Sequence, residues 1–131
     1  MKLFRTYRFS ASHELHGLPE GHKCTRNHGH NYEVTLEVWA AKPQNGMVVE
    51  AGVLDTAVAP VIARLDHHLL NEVEPDSPAF APMRQQPTAE NIALCLFHRL
   101  SGLVKSCSPE AGLSLLAVRV RENERLEVEA P

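Results

Sequence analysis

Along the first residues, Leu3, Tyr7, Phe9 and Ala11 share one parity, interrupted only by Arg5, which predicts a strand over 2–13. Residues 14–27 carry Gly17, Pro19 and Gly21 among polar groups and read as a loop. A second strand is expected over 28–40, with Tyr32, Val34, Leu36 and Val38 on one face and Glu33, Thr35 and Glu37 on the other. Asn45-Gly46 is a hairpin-turn signal, after which Met47-Val48-Val49 is expected to return as a short strand. Leu54, Val58, Val61, Ile62, Leu65 and Leu69 lie near helical spacing and predict a helix from about Gly52 to Leu70, with Pro60 kinking it or marking a late start. The prolines at 75, 78, 82 and 87 predict an irregular loop over 74–87. Thr88 is a credible cap for a second helix ending near Gly102, with Ile92, Leu96, Phe97 and Leu100 as its apolar stripe. A last strand is expected from about Leu113 to Glu122, with Leu116, Val118 and Val120 on one face. The order β-β-β-α-α-β implies an α+β fold, an antiparallel sheet backed by helices.

With 131 residues, 44% of them hydrophobic and 22% charged, the chain fits one domain with a single core, residues 1–131. The net charge of -3 argues against a general nucleic-acid or membrane-surface binder. No apolar run reaches the roughly 18 residues of a membrane span, and the charged start Met1-Lys2-Leu3-Phe4-Arg5 does not read as a signal peptide. Cys24, Cys95 and Cys107 lack CxxC spacing and suit free thiols in a cytoplasmic setting.

Eight histidines shift attention to metal chemistry. In His28-Gly29-His30 both imidazoles project to one side of a strand, and they continue the parity of Tyr32 and Val34. His13 likewise continues Phe9 and Ala11. If the two strands pair, three imidazoles converge at one end, and three ligands with an open position describe a catalytic zinc site. Alone, an HxH pair is more often an exposed strand end. Cys24 could be a fourth ligand, or a base or nucleophile beside the metal. Cys95 reads as a small core residue, and His16, His22 and His98 as bystanders. Asp66-His67 could be a carboxylate–imidazole pair or a helix C-terminus favoured by the macrodipole. Glu122 continues the apolar parity of Val118 and Val120, so its buried carboxylate needs a donor, such as the guanidine-like edge of a pterin or guanine. Glu90 could do no more than complement a helix dipole.

Ser12-His13, His22-Lys23-Cys24, His28-Gly29-His30-Asn31-Tyr32, Leu65-Asp66-His67-His68, Pro87-Thr88-Ala89-Glu90-Asn91 and Arg121-Glu122 together resemble the 6-pyruvoyl-tetrahydropterin synthase / 6-carboxy-tetrahydropterin synthase family, over residues 3–122. The resemblance implies the tunnelling fold, a four-stranded antiparallel sheet with two helices on one face. It implies three sheets joined into a barrel, two trimers stacked into a homo-hexamer, and active sites between subunits. Zn2+ would be held by His13, His28 and His30. Cys24, Asp66 and His67 would be catalytic, and Glu122 would anchor the pterin ring with help from Thr88 and Glu90. Lys23, with Arg26, could meet the triphosphate of the substrate, 7,8-dihydroneopterin triphosphate.

The three residues between Cys24 and His28 match the carboxy branch, which releases acetaldehyde on the route to the queuosine precursor. The pyruvoyl branch, a non-catalytic zinc- or pterin-binding relative, and a structural Cys-His₃ zinc module are the alternatives. Glu50-Ala51 departs from the family's usual Asp-Phe, and the tail after Glu122 lacks its usual aromatic ending.

Overall fold

The computed structural model describes residues 1–131. Strands β1 (Lys2–His13), β2 (His28–Ala40), β3 (Leu113–Asn123) and β4 (Leu126–Ala130) form one antiparallel sheet in the order β1-β2-β3-β4. Helices α1 (Ala51–Ala63), α2 (Phe80–Gln85) and α3 (Ala89–Cys107) lie between β2 and β3 in sequence. The core joins one sheet face, through Phe9, Tyr32, Val34, Leu36, Val118 and Val120, to Leu54, Val58, Ile92, Leu96 and Leu100 of the helices. The opposite sheet face exposes Phe4 and Trp39 among polar residues, and ion pairs Lys2–Glu37, Arg119–Glu129 and Arg121–Glu127 bridge its strands.

Arg5, the polar break in the first strand's apolar parity, reaches α1. Its Nε and a terminal nitrogen donate to Asp55 at 2.9 and 2.6 Å, and the Tyr7 hydroxyl donates to the same carboxylate at 2.9 Å. Burial and this carboxylate push the Tyr7 phenol above its ordinary value. Glu50 is the N-cap of α1. Its two carboxylate oxygens accept from the N–H groups of Gly52 and Val53, each at 2.9 Å, so α1 starts at Ala51 despite the unusual residue.

Several expectations are corrected. Asn45 and Gly46 both take positive φ, as a two-residue hairpin turn requires, but pairing stops at the single Gln44–Met47 bridge. Val48 and Val49 are buried without being a strand. The fourth strand is instead β4, where Leu126, Val128 and Ala130 alternate with Glu127 and Glu129. Helix α1 ends at Ala63 rather than Leu70, because the next residues bond to the edge of β1. Pro60 stays inside α1 on its exposed side. The proline-rich loop contains α2, and α3 continues through an exposed Gly102 to Cys107. Leu116 is half exposed rather than a core residue. A bulge shifts the register from Glu37↔Ala117 to Val38↔Leu115, so Leu113 and Leu115 face inward before it and Val118 and Val120 after it.

Candidate metal centre and active site

Antiparallel register builds the centre. His13 lies directly opposite His28, and Ala11 opposite His30, so β1 contributes one imidazole and β2 two on the helix-facing side. The three rings have centroids 4.5, 5.0 and 5.1 Å apart. One ligand atom from each lies within 4.8 Å of the others. Gly29 faces the backbone of β1, and a Cβ there would meet the Ala11 carbonyl at 3.4 Å.

Tautomers are set by the backbone. The His13 Nδ1–H donates to the Pro87 carbonyl at 2.7 Å, and the His28 Nδ1–H to the Arg26 carbonyl at 2.7 Å. A carbonyl only accepts, so in the neutral form of each ring the lone pair lies on Nε2. These Nε2 atoms are 2.9 Å apart. Two lone pairs at that distance repel unless a proton or cation lies between them. Burial holds His13 and His30 below the ordinary imidazole value, against the pull of Glu122. Nitrogens pre-oriented by backbone acceptors and brought this close together fit a metal ion. Cys24 is outside this three-residue group.

Glu122 has the inward position its parity implies. Its carboxylate lies 3.1 Å from His30 Nε2 and 3.3 Å from His13 Nε2, and it makes no pair with Arg119 or Arg121, which bind Glu129 and Glu127. Beneath it, Tyr32 is fully buried with its hydroxyl 3.3 Å from His13 Nδ1, and burial raises its phenol far above the usual value. The Pro87 carbonyl is not legible as a partner of His13, since a backbone acceptor leaves no composition signal.

A cavity of about 710 Å³ opens beside the histidines, lined among others by Lys23, Cys24, Arg26, His28, His30 and Glu122. Cys24 sits half buried in a single 3-10 turn, Lys23–Thr25, whose start is capped by the His22 ring accepting from the Cys24 N–H at 3.1 Å. His22 is thus a structural neighbour of the thiol rather than a bystander. His16 and His98 are exposed and apart from the metal group. Cys95 is a core thiol, pushed up to about 12 by burial and therefore inert.

Asp66 and His67 form the expected pair, with His67 Nδ1 2.9 Å from the carboxylate. They do so beyond the end of α1, so the helix-terminus account of this histidine does not apply. The other Asp66 oxygen accepts from the Ser10 N–H at 2.9 Å, and that bond, with His67, holds the carboxyl below its ordinary value. His67 takes φ 59 and its N–H donates to the Ser10 carbonyl at 2.6 Å. The pair does not line the Cys24 cavity; His67 borders a separate depression with Ser10, Asn31 and His30. Thr88 caps α3 by accepting from the Asn91 N–H at 3.2 Å, and Glu90 is exposed in the first turn.

The family model described as 6-pyruvoyl tetrahydropterin synthase matches residues 2–130. A protein of Archaeoglobus fulgidus, provisionally named a 6-carboxy-5,6,7,8-tetrahydropterin synthase, is 38% identical over 116 residues, 88% of this chain and 83% of its own. A Halobacterium salinarum protein with the same provisional name is 33% identical over 132 residues, covering 93% and 81% of the two chains. The 6-pyruvoyl tetrahydropterin synthase of Caenorhabditis elegans shares the fold, with a TM-score of 0.78 at 24% identity over 99% of this chain and 94% of that one. A match to nearly the whole chain, carried by a tunnelling-fold sheet and by relatives of similar length, means that the chain belongs to the 6-pyruvoyl tetrahydropterin synthase family of pterin synthases.

Proposed function

We propose that the chain converts 7,8-dihydroneopterin triphosphate to 6-carboxy-5,6,7,8-tetrahydropterin with release of acetaldehyde and triphosphate, using zinc held by His13, His28 and His30. The observation that carries this reading is the convergence of three imidazoles at the wall of a cavity that also contains a thiol and a carboxylate with no arginine partner. The names of the archaeal relatives and the three-residue spacing from Cys24 to His28 support the carboxy product.

Bound there, zinc would supply Lewis acidity toward the hydroxyls of the substrate side chain. Glu122 accepts from the two N–H donors of a pterin edge and orients the ring, with Thr88 and Glu90 at the start of α3 assisting. Lys23 faces the anionic triphosphate. Cys24 removes a proton from the side chain, and the Asp66–His67 pair returns one. In one chain that pair and Cys24 border different depressions, which favours a site shared between copies in a trimer-based hexamer. The three unpaired thiols suit the cytoplasm.

Mass spectrometry of products from the zinc-replete protein tests the reading. Acetaldehyde with the carboxy-pterin is the expected result. A pyruvoyl-pterin would assign the sister reaction, and absence of turnover would leave a binding relative.

A further inference from the structure

Beyond His13 the chain leaves the sheet, yet its backbone remains paired on one side. The Glu14 N–H donates to Asn71 Oδ1 at 2.9 Å, and Asn71 Nδ2 donates back to the Glu14 carbonyl at 3.0 Å. Two residues on, the His16 N–H donates to Gln86 Oε1 at 2.8 Å, and Gln86 Nε2 donates back to the His16 carbonyl at 2.7 Å. Each primary amide presents the donor and acceptor of a peptide group, so the two side chains replace a neighbouring strand. Between them Leu15 points its N–H the other way and donates to the carbonyl of Cys24 at 3.0 Å. Three successive residues are thus fixed alternately, and the middle one holds the thiol's turn.

We propose that Asn71 and Gln86 are positioning residues that hold Cys24 at the histidine cavity. The catalytic part of this rests on the proposed role of Cys24 as the proton-transferring thiol. Both amides come from segments that carry other parts of the site. Asn71 follows Asp66 and His67 in the turn Leu70–Glu72, and its own carbonyl accepts from Arg84 Nε at 3.2 Å. Gln86 precedes Pro87, on which His13 hangs, and its carbonyl accepts from Asn91 Nδ2 at 2.8 Å. Movement of either segment is therefore transmitted to the thiol through one amide.

The test is alkylation of the full-length protein by iodoacetamide, with labelling resolved at Cys24 and at the buried Cys95 by peptide mass spectrometry. Gln86→Met keeps the side-chain length and removes both bonds; Asn71→Asp keeps the acceptor and removes the donor. Each variant is expected to change the Cys24 rate several-fold to about tenfold, as the loss of one or two hydrogen bonds allows. Cys95 labelling and bound zinc should stay as in the parent, while kcat falls and KM holds. An unchanged Cys24 rate, or Cys24 and Cys95 rates that rise together, would overturn the proposal in favour of a merely structural role. Should Asn71→Asp fail to fold, Gln86→Met, at a half-buried position, decides alone. Labelling is read without substrate, so a protein that labels as expected but forms no product refutes the reaction and leaves the positioning role standing.

Discussion

His13 donates its Nδ1 proton to the carbonyl of Pro87 at 2.7 Å, across 74 positions of sequence. The bond ties the end of β1 to the residue that precedes the cap of α3, and it leaves Nε2 free. His13→Ala should therefore cost twice. It removes a metal ligand, and it leaves a buried carbonyl without a donor at about 1–3 kcal/mol. His28→Ala, on a partly exposed ring, should lose zinc with a smaller fall in thermal midpoint. Elemental analysis and a melting curve on both variants separate the two effects; stoichiometric zinc in either variant would refute its ligand assignment.

Cys24 lies outside the metal group but inside the same cavity. Cys24→Ala should keep zinc near the parent level and abolish turnover. Full activity in that variant would remove the thiol from the chemistry.

Glu122 faces two neutral imidazoles and no arginine. Glu122→Gln can no longer accept two hydrogen bonds as an anion. kcat/KM should fall by roughly 10- to 100-fold, the value of charge-assisted hydrogen bonds, with the fold and zinc content retained. Steady-state kinetics beside metal analysis checks this.

Asp55 is held below the ordinary carboxyl value first by the hydrogen bond from Arg5 and next by that from Tyr7. A carboxyl lowered on folding stabilises the native state above its unfolded value and ceases to do so as pH falls through the folded one. The difference in thermal midpoint between the parent and Asp55→Asn should be greatest near neutral pH and should close below about pH 4. Melting curves across that range, at fixed ionic strength, measure it.

Much of this architecture was legible because single residues carried it. Parity placed His13, His28, His30 and Glu122 on one side, and the structure keeps them there. Parity failed at Leu116, where a bulge inserts one residue and exchanges the faces. β4 is harder to read because the centre of its turn, Glu124-Arg125, holds no Gly, Pro or Asn; the only turn signal is Asn123, whose Oδ1 accepts from the Arg125 N–H at 2.9 Å, although the alternation in Leu126–Ala130 is present. The end of α1 is not visible in the pattern, because Leu65 and Leu69 keep helical spacing while tertiary bonds to Ser10 and Ser12 pull the chain out of the helix. Asn71 and Gln86 gave no warning, since an amide that imitates a strand looks in sequence like any polar loop residue.

The tethering along β1 also limits growth of the sheet. From Ser10 to His16 the outward backbone groups are already engaged, by Asp66, His67, His68, Asn71 and Gln86 in turn. Only the stretch ahead of Ser10, with Phe4, Thr6 and Arg8 turned outward, still offers free donors and acceptors. A strand from a neighbouring copy that docks on this margin has to run out there, which fixes how far the two can slide past each other and keeps the ground around His67 clear.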